Sequence, residues 1–164
     1  MDDLDKAPDY PYGAIGVGVR RWRIANTRWA LLGGHLWSAA MLDCWRKNVE
    51  WKEAECDRHI AIPDEHCICG IWGFFNPEIL YREFSPLSYH HPESGSVDGI
   101  IGVTGGIVLH EDGFRAQYAK VLGIFEDDHD TPKDEIAAMY HVPILDPRDF
   151  DTFCDKRGLI RLAP

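Results

Sequence analysis

Apolar positions alternate with glycine from Ala14 to Ile24. Ile15, Val17 and Val19 fall on one face and glycine on the other, and the pattern runs on through Arg21, Trp22 and Arg23. A period of two sends successive side chains to opposite faces of a pleated chain, so this stretch predicts a strand. A second strand is expected around Trp29 to Trp37, with Gly33-Gly34 marking a bulge or a tight turn. The clearest pattern comes later: Val97 to Leu109 and Phe114 to Phe125 are β-rich and joined by His110-Glu111-Asp112-Gly113. That is a hairpin signature. Asp112-Gly113 is expected to supply the positive φ of a tight turn, and Gly105-Gly106 to bend the first strand.

After Phe125 the pattern changes. Glu126 to Asp130 is a charged loop, and Thr131-Pro132 with Asp134-Glu135 opens a short helix through Met139, its acidic first turn suiting the helix dipole. Val142-Pro143-Ile144 reads as extended, and a second helix is expected from Pro147 to Lys156 with Asp146 as its cap. The elements predict an α+β fold, mainly antiparallel sheet, with a long hairpin at about 97–125 and two short C-terminal helices.

At 164 residues the chain suits one domain, and its 45% apolar content is enough for a real core. Without repeats or low-complexity tracts, the organisation predicted is a flexible lead-in over 1–12 and a single domain over 13–164. All six tryptophans lie in the first half, where core packing is expected of them, exposed binding platforms being the alternative. No run reaches the roughly 20 apolar residues that span a bilayer, and the start Met1-Asp2-Asp3-Leu4-Asp5-Lys6 is acidic, so a cytoplasmic location without membrane contact is expected. A net charge of -10 argues against direct nucleic-acid binding.

In a reducing compartment the five cysteines are better read as ligands or core residues than as disulfides. Cys56 to Gly70 brings together three thiols and two imidazoles as Cys-x2-His, then Cys-x-Cys and glycine. Two close ligand pairs let a loop wrap a tetrahedral ion, and soft thiolates with imidazole suit zinc. The expected site is one structural zinc on Cys56, His59, Cys67 and Cys69, with His66 as an alternative nitrogen ligand, stapling a loop at 56–70. Gly70 would let the backbone turn closely enough for amides to donate to sulfur. Buried free cysteines and a disulfide remain the other readings.

If all four ligands bind, no position is left for water and the ion staples without catalysing. If Cys56 is free, an open site permits a metal-dependent hydrolase with Glu65 or Asp57 as base. Cys44 and Cys154 stand beside Asp43 and Asp155, which would raise a thiol pKa, and read as packing residues. His110, Glu111 and Arg115 form a charged group at the hairpin turn that could act as an interaction surface or an acid/base set, or simply be solvated. Tyr89-His90-His91 lies in a polar loop where a second metal is the sharper reading. Gly-x-Gly-x-x-Gly, P-loop and Gly-x-Ser-x-Gly signatures are absent.

The order Cys56, His59, Pro63, Cys67-x-Cys69-Gly70-Ile71-Trp72-Gly73, then Gly99, Gly102 and Gly113-Phe114-Arg115-Ala116-Gln117-Tyr118-Ala119, resembles an uncharacterised family of actinobacterial and actinobacteriophage proteins. The similarity covers about 14–157, including Tyr140-x-Val142-Pro143; Gly105-Gly106 departs from the aromatic-glycine pair of that family. The resemblance implies a shared fold and a phage-encoded origin without a known reaction. With a closed four-ligand site and no convergent nucleophile, base and orienter elsewhere, a zinc-stabilised module that binds a host or cellular protein is the leading expectation, an enzyme less so. The alternatives are the open-site hydrolase and an acidic nucleic-acid mimic built on Glu126 to Asp151.

Overall fold

In the computed structural model the described residues are 15–24, 36–38, 44–45, 50–58, 62–84, 95–126 and 131–164, with backbone alone at 36–38 and 44. The lead-in, most of the expected second strand, His59, Tyr89-His90-His91 and 127–130 lie outside them. The fold is α+β and mostly antiparallel sheet. In chain order it runs β1 (Gly16–Arg23), β2 (Leu36–Ser38), β3 (Cys44–Trp45), β4 (Lys52–Glu53), β5 (Ile71–Phe74) and α1 (Pro77–Glu83). The hairpin β6 (Ser96–Leu109) and β7 (Gly113–Phe125) follows, then α2 (Lys133–Tyr140), β8 (Ile144–Leu145), a 3-10 turn (Pro147–Asp149), α3 (Phe150–Lys156) and β9 (Ile160–Arg161).

The alternation in β1 sets the architecture. β1 pairs along its whole length with β6, from Gly16 opposite Val103 to Arg23 opposite Ser96; β6 pairs with β7, and β7 with β5. β5 returns to β1 through Val19 opposite Phe74, so the succession β1, β6, β7, β5 closes on itself and the sheet curls. Curling needs local extra twist, which the β6–β7 pairing supplies by two register shifts: at Ile100/Ile101 the extra residue is Leu122 of β7, and at Thr104/Ile107 it lies on β6, where Gly105 has φ +79. Phe114 explains two glycines of the pattern: a Cβ on Gly18 would stand 2.3 Å from its ring, and one on Gly73 2.5 Å. The small residues leave room for the large one.

Two apolar clusters result. One joins Trp22, Trp45, Ile71, Ile101, Val103, Phe114, Ala116 and Ala119 with Ile136 of α2. The other gathers Val17, Val19, Ile100 and Phe125 under Leu80 of α1 and Phe150, Phe153 and Cys154 of α3. Trp22 and Trp45 pack edge to face, centroids 5.4 Å apart, as core tryptophans are expected to. Across the β1–β6 pairing Arg21 Nε and Nη2 each donate to the buried Asp98 carboxylate at 2.7 Å, from directly opposite positions.

Some expectations change. Gly113 does not have positive φ; it begins β7, and its small size matters because a Cβ there would meet the Gly73 carbonyl oxygen at 2.2 Å. The second C-terminal helix is a 3-10 turn followed by α3, the Asp146 side chain accepting from the Arg148 amide as its cap. α1, β5 and the parallel pairings of β8 with β7 and β9 with β1 add to what the pattern predicted. Among the described residues no helix is long and apolar enough to cross a membrane.

Candidate metal centre

β4 and β5 lie end to end along the same edge of β7. Lys52 and Glu53 face Ala119 and Tyr118, the Ala54 amide donates to the Gln117 carbonyl at 2.8 Å, and pairing resumes with Ile71 opposite Ala116. The chain between Ala54 and Ile71 is thus an excursion whose two ends are pinned to adjacent positions of one strand. Cys56 lies two residues past the outgoing end and Cys69 two residues before the returning end. Topology alone brings them together, and Cys-x-Cys adds Cys67.

The Sγ atoms of Cys56, Cys67 and Cys69 all lie within 4.8 Å of one another. Tetrahedral coordination at the usual Zn–S length of about 2.3 Å separates sulfurs by about 3.8 Å, so a small closure would bring the three onto one ion. The Asp64 amide donates to Cys69 Sγ at 3.4 Å, the kind of contact that steadies a metal-bound thiolate. Burial pushes the Cys69 thiol up, and the neighbouring Cys67 and Cys56 thiols add to this while the Asp64 amide opposes it. A bound cation would reverse that balance. The three cysteines could therefore hold a metal ion.

Gly70 serves the loop through its backbone conformation. It sits at φ +112, and a Cβ there would come 3.0 Å from both Arg115 Cβ and Pro63 Cβ, so glycine lets the loop close over β7. His59 is outside the described residues. His66 is exposed and, among the described residues, does not belong to the ligand group; its amide instead donates to the Asp64 carboxylate at 2.8 Å. Asp57 and Glu65 are likewise exposed and outside that group.

The hairpin-turn residues part company. Glu111 is exposed, His110 is half-buried, and Arg115 is only 2% exposed. Arg115 belongs to β7 and points beneath the loop, which corrects its reading as a surface group. Its Nη1 reaches the carbonyls of Asp64 (3.0 Å), Cys69 (2.9 Å) and Cys67, while Nε donates to His110 Nε2 at 2.9 Å. Its guanidinium carbon lies 5.4 Å from the Trp72 ring centroid, and His110 stacks on Trp72 at 5.2 Å. The Trp72 indole N–H donates to the Ile68 carbonyl at 3.0 Å. Sequence reasoning found the thiols but missed this support, because its parts are far apart in the chain.

Away from the thiols, a groove of about 590 Å³ is lined by Asn76, Glu111, Arg148, Asp151, Arg161 and neighbours from α1 and the C-terminal segment; none of the three cysteines borders it. The carboxylates of the expected acidic mimic are partly engaged at home, Asp146 with Arg148 at 2.5 Å and Asp151 with Arg161 at 3.5 Å. Cys154 is fully buried, and burial, with Asp151 and Asp155 nearby, pushes its thiol up to about 11, as a packing cysteine would show. Compared with family models, curated proteins and solved structures, the chain has no significant match.

Proposed function

We propose that this chain is a zinc-stapled protein-binding module, of the phage-encoded kind its motif order resembles, acting on a host protein. One observation carries the reading. The loop pinched at Cys56 and Cys69 throws an apolar side chain outward between two ligands: Ile68 is 75% exposed, beside Trp72 at 41%. Exposed apolar groups on a rigid support favour a recognition surface, since a fixed loop loses little freedom on binding. Zinc is the ion that a thiolate-rich set with imidazole from His59 fits best, and four protein ligands leave no position for a reacting water. The net charge of -10 suits a partner with an apolar pocket and a basic rim.

Elemental analysis is the first test. About one zinc per chain is expected, lost in Cys67→Ser and His59→Ala; a stably folded, metal-free parent would refute the staple. For the binding surface, pull-downs from host lysate are compared between the parent and Ile68→Asp as baits. A protein recovered by the parent and lost with the variant supports the reading, and equal recovery by both, or none above background, counts against it.

A further inference from the structure

We propose that Arg115 is a positioning residue for the metal centre: it holds the loop carrying Cys67 and Cys69 in its ion-ready shape before any ion arrives. The inference rests on the metal reading above and assigns its preorganisation to one side chain.

Among the described residues from Cys56 to Gly70 none is fully buried and only Ile62 packs, in part, against the core, so apolar packing fixes little of the stretch that carries Cys67 and Cys69. Strand pairing holds the ends of the loop, and within it the Cys67 amide donates to the Asp64 carbonyl at 3.2 Å. Between the ends, three carbonyls turn toward the guanidinium of a residue 2% exposed, and two of the three belong to the ligands Cys67 and Cys69. Arginine suits this place because its guanidinium fork is always charged and bonds on two sides at once: Nη1 shares its two N–H groups among the three carbonyls while Nε is left for His110.

The fork is itself held on two sides. His110 accepts from Nε, and the Trp72 ring lies against the guanidinium while its indole N–H fastens Ile68, the residue between the two ligands. Arg115 and Trp72 face each other across the β5–β7 pairing, so the sheet fixes both and transmits its rigidity to the loop. A residue that orients ligands without touching the ion commonly changes metal affinity by about 10–100-fold when it is replaced.

The test uses the full chain as parent, Arg115→Met, Arg115→Lys and His110→Phe. Zinc affinity is measured by competition with a chromophoric chelator, and amide exchange of residues 64–70 is followed in metal-free protein. Arg115→Met is expected to bind zinc about 10–100-fold more weakly. Its loop amides should exchange faster without metal, while β6 and β7 keep their protection. Arg115→Lys, which keeps the charge but not the fork, should lose nearly as much. His110→Phe preserves the stack on Trp72 and removes only the acceptor, so it gives a smaller loss and serves if the Arg115 variants do not fold. A parent that binds zinc alongside folded Arg115 variants with equal affinity and equal loop exchange overturns this inference alone. A parent that takes no zinc overturns the metal reading and, with it, the purpose assigned to Arg115.

Discussion

Along the hairpin, Val97, Ile100, Ile101, Val103, Phe114, Ala116, Ala119, Ile124 and Phe125 are all completely buried, whereas none of the described residues from Cys56 to Gly70 is. The two regions touch along β7 but are held by different physics. The sheet draws on removal of apolar surface from water, a term that grows with area and needs no single contact. The loop draws on a few directional bonds to Arg115 and, in our reading, on an ion. Damage to the sheet should therefore spread to the loop, while damage to the loop should stop at its neck.

The sharpest way to break this contrast is Phe114→Ala. The ring is fully buried and fills the space left by Gly18 and Gly73, and deleting such a side chain costs about 3–5 kcal/mol. Denaturant unfolding should show that loss, and zinc affinity should fall with it because the neck of the loop rides on β7. Asp98→Asn probes the sheet differently. It leaves Arg21, only 14% exposed, facing a neutral amide, and should cost up to about 3 kcal/mol in the same assay. A variant of either kind with unchanged unfolding would show that the sheet does not depend on this packing.

These same elements mark what the sequence discloses. β1 is legible from the alternation of Ile15, Val17 and Val19 with glycine, and the hairpin from two long β-rich runs on either side of a turn signature. β5 has four residues, too few for a period to show, and its place beside β7 depends on contacts across the chain. α1 left a signal that was available: Asn76 before Pro77 is a cap followed by a first-turn proline, and the Asn76 side chain does accept from the Ile79 amide at 2.9 Å. The thiols were readable from spacing. Arg115 was not, because it bonds a carbonyl 48 residues away and stands in sequence beside a polar turn. Local pattern reports which residues can form an element, and only the assembled sheet reports what lies beneath a loop.

Metal removal sharpens the contrast from the loop side. An ion that binds only the folded chain stabilises it by about 2.7 kcal/mol when free ion stands at a hundred times Kd. Chelation should lower the unfolding midpoint accordingly while far-ultraviolet circular dichroism of the sheet persists at low temperature; collapse of the sheet signal would deny that the loop is separable. A smaller effect is expected at the cap of α1, where Asn76→Ala should cost about 1 kcal/mol without altering zinc content.

The most direct comparison is between the thiols of the loop and the thiol of the core, and at pH 8 it needs no change in stability. Cys154 lies fully buried in the cluster between the sheet and α3, with its thiol at about 11 against an ordinary value of 9.0. Alkylation needs the thiolate, so near pH 8 Cys154 in folded protein should take up almost no iodoacetamide, and its rate should climb only as pH approaches 11. The linked stability effect has a definite sign. Folding favours the neutral thiol, so nothing is lost below pH 9, and stability declines between about 9 and 11 as the unfolded chain ionises first. Cys56, Cys67 and Cys69 are partly exposed, and in metal-free protein they should label at pH 8 faster than Cys154, with Cys69 slowed by the burial that pushes its thiol up. Peptide mapping by mass spectrometry separates the sites, and zinc added beforehand should protect the three loop thiols while leaving Cys154 unchanged. Loop thiols that label equally with and without zinc would remove the ion from the comparison. Fast labelling of Cys154 would show that the core under α3 opens on the timescale of the reaction.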